Sequence, residues 1–182
     1  MGKVYIPVKA LFDELGVDIV IPPPVSKKTL EIGTKLSPEM ACLPLKINMG
    51  NYIESIEKGA DTIVLSGSCG PCRFGYYGVV QKEILRDLGY DIEVIILDPP
   101  REGMKEFFQR IKKISGDSSL YNGLLALKKA FKVSEETEKL LGLALKQRCR
   151  EKTKGNTDHI LKRFEGRIMI SKGADEILKC IV

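Results

Sequence analysis

The sequence contains no tryptophan and a single histidine, His159. One histidine excludes a multi-histidine metal site within the chain and leaves Ser-His-Asp or Cys-His chemistry only one candidate base. No apolar run approaches the ~18–20 residues of a membrane helix. The opening stretch carries Asp13 and Glu14 and lacks the basic and apolar regions of a signal peptide, so the expected location is the cytoplasm. Charge of one sign is not in large excess: 29 Lys and Arg against 24 Asp and Glu leave +5. That balance suits an anionic ligand or partner but is no nucleic-acid footprint, and no interleaving of aromatic and basic residues offers base stacking. No glycine-rich nucleotide fingerprint follows a strand pattern. Internal repeats and low-complexity segments are also missing.

What is present is the mixture of a soluble globular protein. Hydrophobic residues make up 43% and charged residues 29% of 182, enough for one domain or one domain with a small appendage. The apolar content also excludes intrinsic disorder.

Helical spacing of Val4, Val8, Leu11, Phe12 and Leu15 predicts a helix over 4–15, closed by Gly16. Asp18–Ile21 reads as a short buried strand stopped by Pro22, Pro23 and Pro24. Ser26 is placed to cap a helix reaching Leu36. Pro38 and Pro44 hold the intervening stretch irregular, and a helix follows over 44–58, ended by Gly59. The apolar run 61–66 has the pattern of a parallel strand buried on both faces. A loop 67–72, a helix 73–88 and a strand 91–97 complete an alternation that specifies an α/β unit, a parallel sheet flanked by helices in Rossmann-like or flavodoxin-like layers.

The expected organisation is an α/β cysteine domain over 1–100, a helical segment over 101–165, and the start of a further, truncated α/β unit over 166–182. Within the helical segment, Leu120, Leu124, Leu127 and Phe131 mark one helix, and Leu141, Leu145 and Cys149 another. The run 166–171 has the composition of a strand. A chain that opens on a helix and closes on a new strand looks like part of a larger fold.

The strongest chemical signal lies in the five cysteines: Cys42, Cys69, Cys72, Cys149 and Cys180. In a cytosolic chain they read as metal-binding or redox groups rather than a disulfide framework. Cys69-Gly70-Pro71-Cys72 lies between an apolar strand and a helix, at the sheet edge where open parallel sheets bind ligands. Cys72 stands at a helix N-terminus, which favours a thiolate, and Cys42 occupies an equivalent place before the helix begun by Pro44. Three thiolates suit an iron–sulfur cubane. Three alternatives stay open: thioredoxin-like redox chemistry, structural zinc with Cys149 or His159 as fourth ligand, and cysteines packed as small hydrophobes. Cys149, at i+4 from Leu145, reads as a core residue. Lys46, Asn48 and Asn51 read as solvated helix surface that is also able to point at the same edge. The glycines of Arg73–Gly78 are explained by close approach to a bulky group or by tight helix–sheet packing.

The stretches Pro38–Lys46 and Cys69–Gly78, with the phrases 22–24, 48–53 and 83–90, resemble the acyl-CoA dehydratase activase-related proteins of the DUF2229 type. These are grouped with the cluster-carrying subunits of 2-hydroxyacyl-CoA dehydratases and benzoyl-CoA reductases. The resemblance implies a [4Fe-4S] cluster held by Cys42, Cys69 and Cys72. It also implies electron transfer or radical acyl-CoA chemistry, an ATP-dependent activator of actin-like fold, and a further domain or subunit of the same family. Acyl-CoA is the implied ligand. A non-catalytic scaffold holding zinc or a structural cluster is the different-class alternative, and whether the chain itself is an enzyme stays open.

Overall fold

The computed structural model describes residues 3–66, 73–97 and 120–181, together with Gln109, Lys112 and Ile114, which are helical. The chain forms two compact units, one built from residues 1–19 and 115–182, the other from 20–114. In chain order the elements are α1 (Tyr5–Glu14), α2 (Lys27–Leu36), α3 (Leu43–Ile56), β1 (Thr62–Ser66), a 3-10 turn (Arg73–Tyr76), α4 (Tyr77–Asp87), β2 (Glu93–Leu97), α5 (Leu120–Arg148), α6 (Asn156–Ile170) and α7 (Gly173–Ile181).

In the second unit, the hydroxyl of Ser26 accepts from the Thr29 N–H, and the Thr29 hydroxyl accepts from the Ser26 N–H. This capping box starts α2 where the sequence placed it. Helices α2 and α3 then cross at a distance that only glycine permits. A Cβ on Gly33 would lie 1.7 Å from the Lys46 carbonyl oxygen, and one on Gly50 would lie 2.0 Å from that of Thr29. Beside this crossing the Thr29 hydroxyl donates to Glu54 at 2.7 Å, both side chains being buried. Strands β1 and β2 pair in parallel, Thr62 with Glu93 through Ser66 with Leu97, joined through α4 as a βαβ unit. Leu45, Met49, Ile53, Ile63 and Leu85 form the core between helices and sheet.

The sheet has two strands among the described residues. The third strand expected at Asp18–Ile21 does not form: the segment is irregular. It leads directly into Pro22–Pro24, which have no N–H to donate to a ladder. The protein is therefore α/β in the coarse sense, mostly helical with a small parallel sheet.

The first unit is entirely helical among the described residues. Pro7 sits in the first turn of α1, and Gly16, at φ 71°, lies just beyond its end. Residues 120–148 form one helix of 29 residues rather than two. The polar stretch between the two apolar stripes does not break it, because Lys139 pairs with Glu135 one turn back at 2.9 Å and with Glu136 at 2.9 Å. Such i,i+4 pairs support a helix through a region with little to bury.

The face of α5 turned to α1 and α7 is also not the expected one. Ala126, Ala130, Val133 and Thr137 are buried, whereas Leu124, Leu127, Phe131 and Leu145 are each at least 43% exposed. Small side chains at the contact let helix axes approach closely, and Val133 joins Ile6, Ala10, Ile168, Ala174 and Ile177 in the core. The strand expected at 166–171 is the last turn of α6 followed by an extended Ser171. Ile168 is buried while Ile170 is 83% exposed, so the run serves one helical face.

Polar groups also bind α1 to α7. Lys9 is buried and donates to Asp13 at 2.5 Å and to the Ser171 carbonyl at 2.7 Å. The Asp13 carboxylate accepts from the Gly173 N–H at 3.0 Å, and Glu14 from that of Ala174 at 3.1 Å. The two acids at the end of α1 thus satisfy the open donors at the start of α7. Lys129 of α5 bridges Glu14 and Asp175, both at 2.9 Å.

Candidate functional site

The elements of the second unit position the chemistry. β1 carries the chain to Ser66, and the loop 67–72, with Cys69 and Cys72, lies outside the described residues. The chain is described again from the 3-10 turn at Arg73, which leads into α4. Gly78 lets α4 lie close on the sheet: a Cβ there would come within 2.7 Å of Leu65 and 2.8 Å of Ile96. Of the two explanations for glycines in this tract, tight helix–sheet packing is the one that holds at Gly78.

Cys42 is the N-terminal cap of α3. Its carbonyl accepts from Leu45 N–H at 3.1 Å and Lys46 N–H at 3.3 Å, and no side chain caps the helix. Its sulfur is exposed and hydrogen-bonds the Tyr77 hydroxyl in the first turn of α4. The preceding turn is closed by Ala41 N–H donating to the Pro38 carbonyl at 2.9 Å. Lys46 fastens it further by donating to the Glu39 carbonyl at 3.1 Å.

Behind this contact the same helix pair carries a second polar pair. Tyr77 and Gln81 stand four residues apart on one face of α4, and the Tyr52 hydroxyl donates to Gln81 Oε1 at 3.3 Å. Burial pushes the Tyr52 phenol up to about 12. Gln81 is 1% exposed, and its Nε2 has no partner among the described residues. Asn48, expected on a solvated face, is buried instead. Lys46 is half-buried and turned to the loop before Cys42.

The implied cluster is held by cysteine thiolates. Cys42 is exposed at the N-terminus of α3. Cys69 and Cys72 belong to the undescribed loop, so the expected convergence of three sulfurs lies outside the described residues. Among the described residues no three His, Cys, Asp or Glu side chains form a group able to hold a metal ion.

Cys149 departs from its expected place. It is exposed beyond the last residue of α5, its sulfur 3.7 Å from the Leu145 carbonyl. The i+4 stripe that suggested a core is the solvent stripe of that helix. Cys180 packs half-buried against the core of the first unit. Tyr77, Tyr52 and Gln81 were not singled out from sequence as a polar set. The i,i+4 spacing of Tyr77 and Gln81 was the available signal.

Residues 1–66 match the family model of the CoA enzyme activase uncharacterised domain, DUF2229. The match supports the resemblance to acyl-CoA dehydratase activase-related proteins over a stretch that contains Cys42 and ends with β1. It stops before Cys69 and Cys72. No curated protein and no solved structure matches the chain. No helix among the described residues is long and apolar enough to cross a membrane.

Proposed function

We propose that the chain is an iron–sulfur component related to the 2-hydroxyacyl-CoA dehydratases, with Cys42, Cys69 and Cys72 as ligands of a [4Fe-4S] cluster. The observation that carries this reading is the contact between Cys42 and Tyr77. Tyr77 follows Cys72 by five residues, across a single 3-10 turn. Cys42 therefore lies beside α4, which follows the loop with the other two cysteines after one 3-10 turn. We read the βαβ unit of β1, α4 and β2 as part of a Rossmann-like or flavodoxin-like layer.

In this reading Cys42 supplies one thiolate, and the N-terminus of α3 stabilises its charge. When bound, a cluster of this kind supplies one-electron redox chemistry to an acyl-CoA reaction. The partners are an ATP-dependent activator of actin-like fold, a further domain or subunit of the same family, and acyl-CoA itself, in the cytoplasm.

The test is anaerobic purification or reconstitution of the full chain, followed by iron, sulfide and zinc analysis. The expected result is a brown protein with a broad absorption near ~400 nm, lost or strongly reduced in Cys42→Ser, Cys69→Ser and Cys72→Ser. A colourless protein with one zinc overturns the reading in favour of a structural metal site.

A further inference from the structure

We infer that the exposed face of α5 is a self-pairing surface: a second copy of this chain docks on it, its own α5 lying antiparallel in a left-handed two-helix coil. The surface belongs to the helical unit and is independent of any metal at the cysteines.

α5 carries two apolar faces. One, with Ala126, Ala130, Val133 and Ala144, is buried in its own unit. On the other side stand Leu124, Leu127, Phe131, Leu141 and Leu145, with Ser134 and Glu138 in the middle. Phe131 is 68% exposed, and more than half of Leu124 and of Leu145 is open to solvent. Successive positions of this stripe are three and four residues apart in strict alternation, the repeat that keeps a seam on one side of a helix pair. From 124 to 145 the seam runs ~32 Å. A stripe of large apolar side chains of this length marks a face that is covered by a partner.

The order of residues along the seam selects the occupant. Both ends are apolar, the middle is polar, and the pattern is centred on residue 136. An antiparallel copy centred on the same point sets Leu127 opposite Leu145, Phe131 opposite Leu141 and Ser134 opposite Glu138, each contact occurring twice about a two-fold axis. The Ser134 hydroxyl is then placed to donate to the Glu138 carboxylate, the one charge between the apolar layers. A parallel copy stacks Glu138 on Glu138, a like-charge contact. Sliding the antiparallel copy by one heptad puts Glu138 on Leu127 or Leu141, which covers a carboxylate without giving it a donor.

The flanks fit the same arrangement. At the outer ends Arg148 meets Leu124; its guanidinium is held by Asp158 at 2.9 Å, and its alkyl stem covers the leucine. Glu135 approaches its own copy beside the axis with its counter-charge in place, Lys139 at 2.9 Å. Lys128 comes beside Lys146 of the second copy. Added salt screens that repulsion, so the pair tightens as salt is raised.

The experiment is sedimentation velocity of the full chain over a dilution series, with reductant present so that exposed cysteines do not cross-link. The expected result is a species of twice the chain mass that dissociates on dilution, and dissociates less at higher salt. Phe131→Glu and Leu145→Lys each place a charge on an apolar layer and should leave the chain at its own mass, with an unchanged circular dichroism spectrum. Leu143→Glu alters an exposed leucine of the same helix outside the seam and should leave the dimer intact. Ser134→Glu sets carboxylates against each other and should raise the dissociation constant at least about tenfold, and adding Glu138→Lys to it should restore the wild-type value. A wild-type chain at its own mass throughout overturns the inference and leaves the face to a different chain. A dimer that survives both Phe131→Glu and Leu145→Lys overturns it, because the interface then lies elsewhere. Failure of the double variant to restore pairing overturns the antiparallel register.

Discussion

The two units of this protein solve the same problem with different materials. The helical unit joins α1 and α7 through buried and half-buried charges: Lys9 on Asp13 and Ser171, and Asp13 and Glu14 on the amides that open α7. The α/β unit brings α2 onto α3 by removing side chains, at Gly33 and Gly50, and α4 onto the sheet at Gly78. Charged networks bind helix ends but use up polar groups. Glycine contacts bring backbones together and leave the polar groups near the helix starts available for chemistry. The exposed thiol and its phenol partner sit in the second kind of unit.

The comparison can be broken most severely at Lys9. Lys9→Met removes the cation between Asp13 and the Ser171 carbonyl while keeping the apolar stem, and should cost about 3 kcal/mol, the lower range for breaking a buried pair. Chemical denaturation followed by circular dichroism measures it. If Lys9→Met unfolds like wild type, the charged network is ornament and the apolar core holds the helices alone.

Gly33→Ala tests the other unit. The added methyl meets a backbone carbonyl that cannot turn aside, so α2 must shift away from α3, at about 2 kcal/mol. The same denaturation experiment reads it, and a shift in the environment of Tyr52 should accompany the loss. An alanine accepted without cost would mean that the crossing opens freely.

Alkaline titration sharpens the comparison, because each unit holds one phenol pushed up to about 12. Burial does this at Tyr52, whereas at Tyr5 burial is joined by the negative charge and hydrogen bond of Glu165. A phenol whose folded value is raised contributes stability that is full below its ordinary value of 10.0 and is lost as pH rises towards about 12. For Tyr52 that loss should approach about 2 kcal/mol, and Tyr52→Phe should abolish its share. Stability measured between pH 9 and 12 decides the matter, a slope unchanged by Tyr52→Phe being the contrary result. Glu165→Gln should lower the Tyr5 value and leave Tyr52 alone.

The smallest effect is expected at Cys149. Because the residue is exposed at the end of α5, Cys149→Ala should change stability by less than about 0.5 kcal/mol and leave any bound metal in place. Loss of metal in that variant would make it a ligand and would transfer part of the chemistry to the helical unit.

Much of the local structure was legible in advance. Ser26 starts α2, Pro44 lies in the first turn of α3, and Gly16 and Gly59 adopt the positive φ that ends a helix. Apolar runs marked β1 and β2 in register with the βαβ pattern. These signals act within a few residues, so the sequence alone carries them. The family resemblance was legible for the same reason, since Cys42 and its neighbours form a contiguous phrase within the matched residues 1–66.

Errors arose where a local pattern needed a partner to acquire meaning. Leu124, Leu127 and Phe131 have helical spacing, but periodicity does not say which of two faces is buried, and the neighbours selected the alanine face. Asp18–Ile21 and 166–171 have strand composition, but a strand exists only where another offers its backbone groups.

At the site, the sequence by itself determined which thiols are available and that Cys42 opens a helix. Only the tertiary structure decided that Tyr77, 35 residues away, reaches its sulfur. The reason is geometric: a hydrogen bond across two helices depends on how closely they pack. Here that packing is set by Gly78 and the core beneath Tyr77, contacts that no short-range pattern encodes.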